Sequence, residues 1–291
     1  MEEIYGVTKN LIQIILEEFN ERIFKFTNKT SLNDDIKSLI SNFREEIKIS
    51  YELAMKGNIV SSMILLRSTY ENMLFSMVAV YNPSLIEKYK MIENGIQPRE
   101  LKKEVIENWN IYFSDAMESK EYTEIEIKSK YSFLSKFIHV NCTRTAVNII
   151  EKSEEDVEFI KYLFIIIIDG IVYLYCDFIS KFIEEKDNLI EGIFFYEIIA
   201  YFLYVQINVD KVKKLKKYDE YLYLELNNNV IKKYRNIINE NIREIKVIDD
   251  ETWIKVINEA YKTLSESKYS ESVKEIDECI MRLSSKINDK I

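Results

Sequence analysis

Residues 2–26 read EEIYGVTKNLIQIILEEFNERIFKF, and their apolar positions recur at intervals of three and four, as at Leu11, Ile14, Ile15 and Phe19. On a helix of 3.6 residues per turn, this spacing puts the apolar side chains on one stripe. Residues 34–56 repeat the pattern. The sequence therefore predicts two amphipathic helices, each with one face turned towards a core.

Polar and turn residues mark where the next helices begin and end. Ser31, Asn33 and Asp34 supply the N-terminal signal of the second helix. A third helix is predicted from Ile59, after Gly57-Asn58, to about Tyr81, where Asn82-Pro83 ends it. Further helices are predicted over residues 84–94, 99–119, 123–150 and 157–183, and the third of these is expected to end and restart near the HisValAsnCysThr run.

The composition points to one fold class. Gly occurs 5 times and Pro twice in 291 residues, so the residues that make tight hairpin turns are scarce. With 47% hydrophobic and 31% charged residues, the chain is expected to fold. We predict an all-α protein: a helical bundle over residues 1–186, then a second helical region with helical hairpins over residues 187–291. The polar stretch EEKDNLIEG, near residue 187, is the predicted boundary.

The sequence lacks the usual nucleotide and metal motifs. It contains no GxxxxGK[ST], GxGxxG or HExxH motif, and it has one histidine. The three cysteines, Cys142, Cys176 and Cys279, are too widely spaced for a metal knuckle and odd in number. No cofactor and no metal are predicted. The cysteine usage and the acidic N-terminus, which is unlike a secretory signal, predict a cytoplasmic protein.

Two features bear on membranes and nucleic acids. The apolar segment 157–183 is long enough to span a bilayer, but Lys161, Asp169 and Asp177 favour a buried core helix and no membrane. A net charge of −9 argues against broad nucleic-acid binding. The basic run KVKKLKK, residues 211–217, is interpreted as a solvated helix face, with an RNA or lipid contact as the alternative.

Two segments carry paired polar residues within apolar surroundings. LLRSTYENMLF, residues 65–75, contains Arg67 and Glu71, and YSFLSKFIHVNCTR, residues 131–144, contains Ser135 and His139. Residues four apart share a helix face. If the two helices pack together, the four side chains form one buried polar cluster, whose members must satisfy each other.

This arrangement, over roughly residues 40–180, resembles helical proteins of the HEPN superfamily, in particular prokaryotic members with an Arg-Ser-x-x-Glu helix and a later Ser-x-x-x-His segment. Many members are metal-independent ribonucleases of defence or toxin–antitoxin systems that work as dimers. Their signature has an arginine four to six residues before the histidine. Here Phe133, Leu134 and Ser135 occupy that window, and Arg144 follows His139 instead.

The resemblance implies a catalytic set of Arg67, Glu71, His139 and Arg144. His139 would act as general acid or base, either arginine would stabilise charge on a phosphate, and Glu71 would orient Arg67. The structural alternative is an intrahelical Arg67–Glu71 ion pair and a hydrogen-bonded core histidine. Whether the protein is an enzyme stays open at this point.

Two functions follow. The first is a prokaryotic defence or toxin-type protein that acts on RNA or regulates an RNA-cleaving effector, as a homo-oligomer. The alternative is a non-enzymatic protein–protein interaction or sensing module that binds a protein partner through its C-terminal helices. The missing arginine and the two helices predicted over residues 253–286 favour this alternative. Residues 260–280, AYKTLSESKYSESVKEIDECI, are similar to one tetratricopeptide-repeat hairpin, but a solenoid needs about three repeats, so an ordinary helical hairpin is the preferred interpretation.

Overall fold

The computed structural model describes residues 2–90, 97–113, 119–135 and 154–183, and a few residues between 269 and 282. These residues lie in helices or in the turns between them, and none of them is in a strand. The all-α prediction is confirmed. The chain divides into two compact units, Leu16–Glu185 and a second made of Met1–Ile15 with Lys186–Ile291. Most of the described residues belong to the first unit.

The helices follow one another along the chain as α1 (Glu2–Lys29), α2 (Asp34–Met55), α3 (Ile59–Tyr81), α4 (Leu85–Lys90), α5 (Pro98–Glu107), α6 (Trp109–Tyr112), α7 (Lys120–Ser135) and α8 (Glu154–Ser180). The residues predicted to begin α2 and to make the turn before α3 do so in the structure. Asn33 Oδ1 accepts a hydrogen bond of 2.9 Å from the Ile36 N–H at the start of α2. Gly57, with φ of 86°, makes the turn before α3, a backbone conformation that favours glycine.

The prediction of one helix over residues 99–119 is wrong. Helix α5 ends at Glu107, Asn108 separates it from the single turn of α6, and Phe113 is extended. The Asn108 side chain donates to the Glu104 carbonyl at 3.3 Å and to its Oε1 at 3.1 Å. Asparagine commonly competes with a regular helix through such local bonds.

Helix α3 lies at the centre of the first unit and packs against α2, α5, α7 and α8. Its buried polar side chains bond to different neighbours. Ser62 Oγ donates to the Ser50 carbonyl of α2 at 2.6 Å, and Tyr70 donates to the Ile127 carbonyl of α7 at 3.3 Å. The Ser76 and Tyr175 hydroxyls, on α3 and α8, are 3.1 Å apart.

An aromatic cluster joins α1, α2 and α8. The rings of Phe19 and Phe43 pack edge to face with centroids 5.6 Å apart, and Tyr175 lies 4.9 Å from Phe43 and 6.1 Å from Phe19. All three rings are almost wholly buried. Such pairs stabilise a core through burial and through the favourable edge-to-face geometry.

Helix α8 is the apolar segment for which the sequence left a membrane span as the alternative. Within the part of the chain that the structure describes, no helix is long and apolar enough to cross a membrane. Helix α8 packs against α2, α3 and α7, and both Asp169 and Asp177 are buried in it. This agrees with the predicted core helix.

Several predictions fall outside the described residues. They are the boundary near residue 187, the basic run 211–217 and most of the hairpin at 253–286, and they stay predictions. The described part of α7 runs to Ser135, so residues 136–150 of the predicted helix 123–150 also lie outside the described residues. Cys176, on α8, is buried.

We expect Phe19→Ala to lower the free energy of unfolding by about 3–5 kcal/mol, because it removes a large ring from a packed core. The matched control is Phe24→Ala, on the same helix, since Phe19 is 1% exposed and Phe24 is 64% exposed. The control should change stability by no more than about 0.5 kcal/mol. Urea denaturation of both variants measures the difference, and equal losses would contradict the packing described above.

Candidate functional site

Arg67 and Glu71 lie one turn apart on α3 and form an ion pair between Nη1 and Oε1. Arg67 is 7% exposed, whereas the Glu71 side chain keeps 28% of its surface exposed. The prediction that these two residues share a helix face is confirmed. A buried guanidinium needs such a partner, because an uncompensated buried charge is strongly destabilising.

Ser135, the last described residue of α7, provides the contact between the two predicted segments. The Arg67 Nε–H donates to Ser135 Oγ at 3.1 Å, and Ser135 Oγ donates in turn to the Tyr131 carbonyl at 2.6 Å. The predicted packing of the two segments therefore holds for Arg67, Glu71 and Ser135. His139 and Arg144 lie outside the described residues.

Tyr131 is a member of the site that the sequence analysis missed. Arg67 Cζ lies 3.4 Å from the centroid of its ring, and Lys102 Nζ of α5 lies 3.1 Å from the same centroid. The Tyr131 hydroxyl donates to Glu71 Oε1 at 3.4 Å. Tyr131 precedes Ser135 by four residues, so the shared helix face was a usable signal. No sequence signal pointed to Lys102, because it reaches the Tyr131 ring only through the packing of α5 against α7.

The pKa of Lys102 is lowered to about 8. Burial is the largest cause, and the positive charges of Arg67, Lys128 and Arg99 also lower it, while Glu71 acts in the opposite direction. The pKa of Tyr131 is raised, again mainly by burial. Among the described residues, the site therefore holds a cluster of positive charges around Lys102, and Glu71 is the carboxylate that offsets their effect on it.

A second buried ion pair lies on α7, just before Tyr131. Lys130 Nζ donates to Glu126 Oε2 at 2.7 Å and to the Glu126 carbonyl at 3.1 Å, and both side chains are almost completely buried. This pair is four residues apart, like Arg67 and Glu71. Across the described ranges, no three His, Cys, Asp or Glu side chains are grouped so that they could hold a metal ion.

Comparison of the chain with protein-family models, with curated proteins and with solved structures gave no match. The similarity to HEPN proteins thus depends on the residues quoted above. Of those residues, the structure brings together Arg67, Glu71 and Ser135. The membership itself stays a prediction.

We expect Arg67→Met to lower the free energy of unfolding by about 3 kcal/mol, because it leaves Glu71 without its buried cation and Ser135 without its donor. Lys103→Met is the control. Lys103 also pairs with a glutamate four residues later, Glu107, but that pair is exposed and 3.9 Å long. An exposed pair of this kind contributes about 0.5 kcal/mol or less. Equal effects in chemical denaturation would contradict a structural role for Arg67.

Lys102 also predicts a pH dependence. Its folded pKa, about 8, lies below the ordinary value of 10.5, so the unfolded chain binds more protons between these two pH values. Stability due to Lys102 therefore rises as pH increases from about 8 to 10.5. We expect Lys102→Met to be at least as stable as the wild type at pH 7, and to lack this increase. Denaturation of both proteins at several pH values provides the check, and parallel profiles would contradict it.

Proposed function

We propose that this protein is a HEPN-like, defence or toxin-type protein that acts on RNA or regulates an RNA-cleaving effector. The observation that supports the proposal is the placement of Arg67. Its guanidinium is held by Glu71 on its own helix and by Ser135 on α7, in a cluster of positive charges. A fixed arginine of this kind is suited to stabilising charge that develops on a phosphate.

In this proposal, His139 is the general acid or base. It follows Ser135 by four residues, and four residues span at most about 14 Å, so the chain itself limits its distance from the Arg67 cluster. His139 would move the proton of a ribose 2′-hydroxyl or of the leaving oxygen. Arg144 would act as a second cation toward the phosphate, and Glu71 would keep the guanidinium of Arg67 in place.

The burial of Arg67 favours a second function, a non-enzymatic interaction or sensing module. The guanidinium is 7% exposed and is already engaged by an ion pair, a hydrogen bond and an aromatic ring. An arginine engaged in this way can serve the packing of α3 and α7 alone. A protein partner would then bind elsewhere, through the C-terminal helices.

The test is expression of the wild type, His139→Ala and Arg67→Ala in cells, with growth and total RNA followed over time. We expect the wild type to arrest growth and fragment RNA, and each variant to cleave at least about a hundredfold more slowly. Arg44→Ala, which removes a surface cation paired with Glu45 on α2, should behave as the wild type.

Soluble yield and circular dichroism of the four proteins separate lost chemistry from lost folding. RNA cleavage by folded His139→Ala at the wild-type rate contradicts a catalytic role for His139. If none of the four proteins affects growth or RNA, affinity capture of a specific partner by the wild type supports the interaction module instead.

A further inference from the structure

Positive side chains from three helices act on one another around Lys102, whose Nζ lies over the Tyr131 ring. Lys102 and Arg99 come from α5, Arg67 comes from α3 and Lys128 comes from α7. Lys102 and Arg67 lie over the Tyr131 ring itself, and the charges of Arg67, Lys128 and Arg99 all act on Lys102. Because the chain carries a net charge of −9, such a cluster is a local exception to its overall charge.

The carboxylates nearby neutralise only part of this cluster. Glu71 pairs with Arg67, and Glu124 pairs with Lys128. Among the described residues, no carboxylate lies within ion-pair distance of Lys102 or of Arg99. Lys102 instead contacts an aromatic ring, whose face attracts a cation but carries no net charge. Within the described part of the chain, Lys102 and Arg99 therefore have no carboxylate as an ion-pair partner, although the charge of Glu71 acts on Lys102.

We propose that Lys102 and Arg99, with Arg67 and Lys128 beside them, bind a phosphate group. Arg99 is exposed and Lys102 is half-buried, so an anion reaches both from solvent. Lys and Arg donate charge-assisted hydrogen bonds to phosphate oxygens, and these bonds are stronger where the cation is partly shielded from water. The buried Arg67 contributes its charge, while its hydrogen bond remains with Ser135.

The lowered pKa of Lys102 is consistent with such a site. Burial and three neighbouring cations disfavour its charged form, and Glu71 is the charge that favours it. A bound phosphate places negative charge next to the ammonium and reverses that balance. Binding therefore raises the pKa of Lys102. The site does not depend on RNA cleavage or on His139, so it stands or falls separately from the proposed function.

To test this, inorganic phosphate is added to the purified 291-residue chain at pH 7. Calorimetry measures the heat of binding, and thermal denaturation measures the shift in melting temperature. We expect saturable binding by the wild type, weakened at least about tenfold in Lys102→Met, the loss expected of one charge-assisted hydrogen bond. Lys103→Met, the adjacent residue in its exposed pair with Glu107, should bind as the wild type. Lys102→Gln is the second variant if Lys102→Met fails to fold.

Sulfate tests the role of the Lys102 charge, because sulfate stays a dianion across the range. Its affinity for the wild type should fall as pH rises through about 8, where Lys102 loses its proton. A decauridylate without terminal phosphates identifies the source of the ligand. If decauridylate displaces phosphate from the wild type and binds weakly to Lys102→Met, the natural ligand is an RNA backbone. If phosphate binds and decauridylate does not displace it, the ligand is a free phosphate or a phosphate monoester. No saturable phosphate binding by the wild type, or equal binding by Lys102→Met, overturns the proposal.

Discussion

Polar side chains buried along α3 have to find partners on the helices that surround it, because an unpaired buried donor destabilises the fold. Ser62 bonds to the backbone of α2, Tyr70 to the backbone of α7, and Ser76 to the hydroxyl of Tyr175 on α8. Apolar contacts tolerate small sliding movements, but these bonds do not. The position of α2, α7 and α8 along α3 is thereby fixed.

Arg67 is another buried polar side chain of α3 that bonds to a neighbouring helix, and it has two structural roles. Its bond to Ser135 holds the end of α7 against α3, while its ion pair with Glu71 keeps its charge inside the fold. A buried ion pair alone is weak evidence of stability, since desolvation offsets much of the attraction. Of the two side chains Glu71 is the more accessible, with 28% of its surface exposed against 8% for Arg67.

The sequence predicts features that depend on neighbours along the chain. The bounds of α3, the Asn33 cap of α2 and the shared face of Arg67 and Glu71 all follow from local spacing and turn chemistry. The break at Asn108 was missed, because asparagine is also found inside helices. The sequence does not tell whether the backbone stays helical or whether the side chain bonds to Glu104 and the helix ends. His139, on which the proposed chemistry depends, lies outside the described residues.

Lys102 could not be predicted by any of these signals, since it meets Tyr131 and Arg67 only after α5 packs against both α3 and α7. The cap at the start of α5, in which Gln97 and Glu100 bond reciprocally, sets where that helix begins and so where Lys102 lies along it. Folding then places Lys102 Nζ and Arg67 Cζ each within 3.4 Å of the centroid of the Tyr131 ring. Glu71 offsets part of the repulsion between these two cations, and an anion bound beside Lys102 would relieve more of it.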